Sequence, residues 1–218
     1  MLNAKRVLLT VLIGGSLVGA PSPLAAQDPV AALESALAGR YEVAMKEVLP
    51  QLLEAQATIL TARGRKEDAA GLRLTAQQSI SAAGKIDPKV QESVLKAVSQ
   101  SARDIADSLN ASTDILQKEA RDTMIAGVGQ FGSGLVMTAD WASSLSNLQA
   151  AVEGLSSVRN PMQLRKANSL MDSAKGLLVA APQLVAGNAA MVTAIKAYAA
   201  KIKLDLPAGA LSDDFKNP

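Results

Sequence analysis

Apolar residues recur three and four apart along most of this chain, and the longest such run organises the rest. After Asp87, the residues Val90, Val94, Val98, Ala102, Ile105, Leu109 and Leu116 fall three, four or seven positions apart. Lys89, Glu92, Lys96, Arg103 and Asp107 lie on the other side. That spacing is one apolar stripe on a helix. Asp87-Pro88 opens it with a carboxylate cap and then the residue best tolerated at the first helical position. Asn110-Ala111-Ser112 offers a break, with Ser112 or Thr113 recapping, but the heptad phase runs on to Glu119. The pattern therefore predicts one continuous helix over 88–122, about 50 Å long at 1.5 Å per residue. A coiled-coil-like seam of that length needs partner helices of similar length.

The same punctuation recurs at Asp28-Pro29 and Asn160-Pro161. From the first, Val30, Leu33, Leu37, Tyr41, Ala44 and Val48 make an apolar face, and helix resumes through Leu52, Leu53, Ala57, Ile59 and Leu60. Pro50 predicts a kink or short break near Leu49, because it lacks a donor and clashes one turn back. Arg63 to Asp68 is a dense run of mixed charge, read as a solvated helix end with a turn at Gly64 rather than as a docking patch. A more weakly patterned helix continues through Leu72, Leu74, Ala76, Ile80 and Ala83, with Gly84 as its C-cap.

Thr123 to Ala139 carries no charge and holds Gly127, Gly129, Gly132 and Gly134. The Gly127-to-Gly132 spacing matches the dinucleotide fingerprint, but a helix precedes it where that mechanism requires a strand. Two readings remain, a tight turn or a smooth helix face for close packing. Each glycine inside a helix costs about 1 kcal/mol relative to Ala, so a turn within 129–134 is the expectation. Another helix is expected over 136–157, with Trp141, Leu145, Leu148, Val152 and Leu155 on one side. Trp141 reads first as a packing residue and second as a partner-facing anchor. After Asn160-Pro161 the helical pattern runs over 161–203, with two helices expected to meet at Ala181-Pro182 and Pro207 as the stop. Gly176 to Ile195 is uncharged and roughly long enough to span a bilayer, but Pro182, Gln183, Asn188 and many alanines oppose insertion.

Residues 1–26 read as a cleaved signal peptide. Lys5 and Arg6 precede an apolar run over Val7 to Val18, and small residues lead to a cleavage site between Ala26 and Gln27. The expected organisation is thus a leader over 1–26, one helical domain over 27–206, and a flexible polar tail over 207–218. The whole chain holds 22 Lys+Arg against 20 Asp+Glu, and its pI of 8.9 reflects the leader. Without Lys5 and Arg6 the two signs balance at 20 each, so no basic excess points to nucleic acid.

Composition narrows the chemistry further. There is no Cys, so the core holds without disulfides, and no His, which removes the commonest general base near neutral pH. Zinc sites of the usual kind and His- or Cys-based triads cannot be built. The remaining catalytic candidates are Asp104 with Asp107, Asp213 with Asp214, and Ser93 with Lys96, all in helix-surface or tail contexts. No catalytic residue, cofactor or metal site is assigned. Aromatics are 2% of the chain, too few for base-stacking platforms, while Ala is abundant and favours close helix packing.

The expected fold is all-α, an elongated up-and-down helical bundle of about five to seven helices with Ala-rich packing and no sheet. The expected function is that of an exported, non-enzymatic protein, periplasmic or secreted, acting through helix–helix contact with itself or a protein partner. Nucleic acid is not expected as a partner and no small-molecule substrate is evident. The alternative is a membrane-associated protein using segments 123–139 and 176–195, and an apolar-ligand carrier ranks third.

Overall fold

The computed structural model describes residues 28–211, and among these there is no strand. The leader and the Ala26–Gln27 junction lie outside the described residues. Seven α-helices follow in order: α1 (Pro29–Val43), α2 (Leu49–Ala62), α3 (Lys66–Ala82), α4 (Pro88–Ala111), α5 (Lys118–Ser144), α6 (Ser146–Gly154) and α7 (Pro161–Ile202). They form five rods, α1–α2, α3, α4, α5–α6 and α7, which alternate up and down. Gln56 meets Val98, and Arg63 meets Ser112 and Tyr198, so α2, α4 and α7 run the same way. Met45 meets Ser79 and Arg40 meets Ser144, so α3 and α5 run against them.

All three proline starts are capped helices. Asp28 Oδ1 accepts from the Val30 N–H at 3.0 Å, Asp87 Oδ1 from Lys89 and Val90, and Asn160 Oδ1 from Met162 at 2.9 Å. Each carboxylate or amide satisfies donors that the first helical turn leaves free.

Of the kink or short break expected near Leu49, the break is absent: a π-helical turn over Ala44–Val48 joins α1 to α2 without interruption. Leu49 N–H reaches five residues back to the Ala44 carbonyl, and Pro50 has no N–H to offer the next one. That leaves the Met45 carbonyl without a backbone donor in the buried interior. The Ser79 hydroxyl, itself fully buried on α3, donates to it at 2.6 Å. Ser79→Ala should therefore cost about 1–3 kcal/mol, the usual penalty for an orphaned buried acceptor. Urea unfolding followed by Trp141 fluorescence would read this as a lower midpoint with an unchanged slope.

The stripe on α4 is buried as expected at Val94, Val98, Ala102, Ile105 and Leu109, but the helix ends at Ala111. Residues 112–117 are extended or irregular, and Ile115 is 78% exposed. The hydroxyl of Ser112 accepts from the Asp114 N–H at 3.2 Å, a local side-chain bond that competes with the helix. The continuous 88–122 helix is thus corrected to α4, a connection, and α5.

The turn expected at 129–134 is also absent, because α5 is helical from Lys118 to Ser144. Its glycines make a face for close approach. A Cβ on Gly127 would sit 2.9 Å from Ile59 Cγ1 and 3.1 Å from the Ile59 nitrogen, and one on Gly134 would sit 2.8 Å from Leu52 Cδ2. A Cβ on Gly132 would collide with the Ala210 carbonyl, whereas one on Gly129 would meet open space. Two substitutions should therefore move stability in opposite directions. Gly129→Ala should add about 0.5–1 kcal/mol by relieving chain entropy. Gly132→Ala should cost about 1–3 kcal/mol by overpacking against backbone. Thermal unfolding of the two variants beside the parent checks both signs.

That contact also corrects the tail. Residues 207–211 form a turn over α5, with Leu211 buried, while Asp213 and Asp214 lie outside the described residues. The 136–157 helix is divided as well, since α5 stops at Ser144 and α6 begins at Ser146. Ser143, Ser144 and Ser146 each turn a hydroxyl onto the carbonyl three residues back, which loosens the helical ladder there. The C-cap expected at Gly84 has no left-handed glycine, whereas the Gly64 turn does, at φ 76°.

The two helices expected to meet at Pro182 are one, α7, 42 residues long. Pro182 faces out, so water can reach the carbonyl its ring leaves unpaired. Lys203 closes α7 in a left-handed conformation, with Leu204 N–H bonded to the Ala199 carbonyl at 2.9 Å.

Candidate interaction surface

Three features of the assembled bundle were candidates for function: the polar groups inside it, the charged connection at one end, and the surface of α7. The inside is mainly a packing device. Trp141, 2% exposed, is a core residue rather than a surface anchor, and its indole N–H donates to the Arg40 carbonyl at 3.1 Å. Arg40 Nε returns a bond to the Ser144 carbonyl at 3.2 Å, so the pair fastens α5 to α1. The buried Gln56 amide donates to the Val98 carbonyl at 3.2 Å and accepts from Ser101, tying α2 to α4. Asn188 is 1% exposed, and neither atom of its amide meets a hydrogen-bond partner.

Tyr41 links α1 to the start of α4. Its hydroxyl accepts from Asp87 N–H at 3.1 Å and faces the Asp87 carbonyl at 3.4 Å. Burial raises the phenol's pKa above its ordinary value; the Asp87 backbone bond opposes that rise and the Asp87 charge adds to it. The folded state thus holds this proton more tightly than the unfolded chain. The resulting stability is complete below the unfolded pKa of about 10 and is lost as pH rises through the higher folded value. Alkaline unfolding above about pH 10 should accordingly be shallower in Tyr41→Phe than in the parent, as measured by urea midpoints across that range.

At the far end of the bundle, Arg63 turns inward from the charge run that the sequence placed on the surface. Its side chain is 12% exposed, with Nη1 on the Tyr198 hydroxyl and Nη2 on the Ser112 hydroxyl, both at 2.8 Å. The guanidinium carbon stands 5.1 Å from the Tyr198 ring centroid. Tyr198 in turn donates to the Asp114 carbonyl at 2.8 Å. One cation therefore joins α2, the 112–117 connection and α7. Nearby, Lys201 donates to the Asn110 carbonyl, and Arg121 to those of Ile202 and Lys203, satisfying helix C-termini.

The surface of α7, like that of α5 over Thr123 to Ala139, includes a long uncharged stretch. Between Lys175 and Lys196 no residue is charged, and Val179 there is 62% exposed. A groove of about 890 Å3 runs along the α4 side, with Leu95, Gly176 and Ala180 in its floor and Glu92, Lys96, Arg103, Asp107 and Asp172 among its charged residues. Gln91 belongs to this groove too. It is 2% exposed, and its Nε2 donates to the Ser173 carbonyl at 3.4 Å while Oε1 has no partner. On the other side, a groove of about 670 Å3 lies among α5, α6 and α7. Leu145, Leu178, Ala181 and Val185 line it together with Pro182 and Ala186, and none of its lining residues is charged.

Of the carboxylates considered for catalysis, Asp104 and Asp107 both border the α4 groove as helix-surface residues. Ser93 and Lys96 are exposed on α4. Among the described residues no group of three or more His, Cys, Asp or Glu gathers that could hold a metal ion. The sequence carried no signal for the inward turn of Arg63, because its partners come from two distant segments. Ser79 had a weak signal, its place with Ala76 and Ala83 on one small-residue face. Comparison with protein-family models, with curated proteins and with solved structures returns no match.

Proposed function

We propose that this chain is an exported, non-enzymatic bundle protein that works by helix–helix contact in a bacterial envelope or the space outside it. The carrying observation is α7, whose uncharged outer ridge is flanked by two grooves. Ridges and grooves of this kind are what helices use to recognise one another. The leader pattern supports export, and the absence of His and Cys from the whole chain supports a non-enzymatic role.

Fractionation of the full-length protein in a Gram-negative host, with an alkaline wash of the membranes and mass determination, tests the reading. A wash-extractable extracytoplasmic product starting at Gln27 is expected. A cytoplasmic product of full mass would overturn it.

A second reading, membrane association, is favoured by one observation. The helix α7 is long and apolar enough to cross a bilayer, and only 44% of its most apolar window is buried in the bundle. The same fractionation separates it, because a wash-resistant product lacking residues 1–26 would place α7 in the membrane. Lys at Val185 should then release it.

A further inference from the structure

We propose that the groove between α4 and α7 binds a single-chain amphiphile with a zwitterionic head, whose ammonium donates to Gln91 Oε1 and whose hydrocarbon chain lies along Leu95 and Ala180. The observation that carries it is the Gln91 amide. Gln91 lines the groove yet is 2% exposed. The Ser173 carbonyl can only accept, so it takes the Nε2 end of the amide, at 3.4 Å, and Oε1 is left without a donor. A buried acceptor with no donor destabilises a fold, and an aliphatic side chain of similar size would avoid that cost. A bond of 3.4 Å is long for an amide donor, and the terminal torsion of Gln is broad. A small tilt therefore offers Oε1 to a donor in the groove. Gly176 faces the amide from α7: a Cβ there would stand 3.0 Å from Nε2, and residue 176 brings no side chain over it.

The other walls set the shape and charge of the ligand. At about 890 Å3 the groove lies within the range of roughly 300–1,000 Å3 common to small-molecule sites, which favour the space between helices and combine apolar walls with a few placed polar groups. Past Gly176, the α7 wall of Val179, Ala180 and Gln183 is uncharged, and Leu95 adds to the apolar floor. Farther along α4, Arg103, Asp104 and Asp107 are exposed at the rim, so the chain lies against the α7 side. At the Gln91 end, Glu92 and Lys96 stand on α4, while Asp172 and Lys175 flank Ser173 on α7. All four are exposed, and among the described residues none of them makes an ion pair. Two carboxylates and two ammoniums without partners suit a head of both signs, whereas a singly charged head would meet like charge beside opposite charge. The ammonium of such a head also supplies the donor that Oε1 lacks, in a charge-assisted bond, and its anion falls to Lys96 and Lys175.

Calorimetric titration of the purified chain with lauroyl lysophosphatidylethanolamine, kept below its micelle concentration, should show saturable binding. Lauroyl lysophosphatidylglycerol, which has the same chain and no ammonium, should bind about tenfold more weakly. Gln91→Leu should weaken binding of the first lipid about tenfold without lowering the melting temperature of the ligand-free chain. Ala180→Trp, which fills the groove, should abolish binding while circular dichroism stays that of the parent. No saturable binding, equal binding of the two lipids, or binding undiminished by Gln91→Leu would overturn the proposal. A melting temperature lowered by Gln91→Leu at unchanged affinity would make Gln91 a structural tie to Ser173 and overturn it as well. Binding that begins only at the micelle concentration would assign the effect to a lipid surface and equally overturn the groove as the site. The export reading stands or falls separately, on the fractionation above.

Discussion

Replacing Val94 and Leu109 together by Asp is expected to leave the chain unfolded at 25 °C. Both are at most 1% exposed on the face of α4 that packs into the bundle. Each substitution removes a buried aliphatic side chain, about 1.5–3 kcal/mol. Each also puts a carboxyl where no partner awaits it, for at least a further ~2 kcal/mol even in the protonated form. The positions are 15 residues apart on one helix, about 22 Å, so the two costs should add. Their sum, about 8 kcal/mol, rivals the whole stability of a typical domain at ~5–15 kcal/mol. Far-ultraviolet circular dichroism of the purified double variant checks this. A helical, cooperatively melting product would show that the α4 stripe is not the core seam. Loss of helix, rather than a folded chain of altered oligomer size, also distinguishes this internal seam from the outer ridge of α7.

The second large effect is expected at Arg63. Arg63→Ala removes two charge-assisted bonds at 2.8 Å and the stacking on Tyr198, all in a mostly buried setting. Hydrogen bonds to a charged group contribute about 1.5–3 kcal/mol each, and Tyr198 keeps its bond to the Asp114 carbonyl. A loss of about 2–4 kcal/mol follows, with the weak 3.6 Å contact to the exposed Asp114 carboxylate adding little. Arg63→Lys should recover less than half, because one ammonium cannot span hydroxyls on two different elements as the guanidinium fork does. Urea midpoints read through the sole tryptophan give the magnitudes, since Trp141 is buried at the other end of the bundle. Amide exchange in 112–117 should accelerate more than exchange in α2 if Arg63 clamps that connection. Equal acceleration throughout would mean the residue acts only on global stability.

Element type and order were legible in the residues themselves. The Asp-Pro and Asn-Pro starts at 28, 87 and 160 each became a capped helix, because cap chemistry is local and needs only the next three residues. The apolar face of α4 and the Gly64 turn were equally plain. What could not be read were choices between two locally acceptable conformations. Gly127, Gly132 and Gly134 suit a turn or a smooth helix face, and the decision lay with Ile59, Ala210 and Leu52, distant in sequence. Pro50 demands relief in any helix, but a π turn rather than a break became affordable only because Ser79 of α3 covers the Met45 carbonyl.

The same division holds for the candidate surface. That residues 176–195 are uncharged is a property of the sequence alone, and so is the absence of His and Cys. Whether that stretch is core, membrane span or outer ridge depends on which of its faces the other rods cover. Local chemistry determines caps, helical period and the reactive groups available, because those forces act within a turn or two. Close approach, the inward turn of Arg63 and the two grooves beside α7 arise from segments tens of residues or more apart in sequence, where only packing of the whole bundle decides.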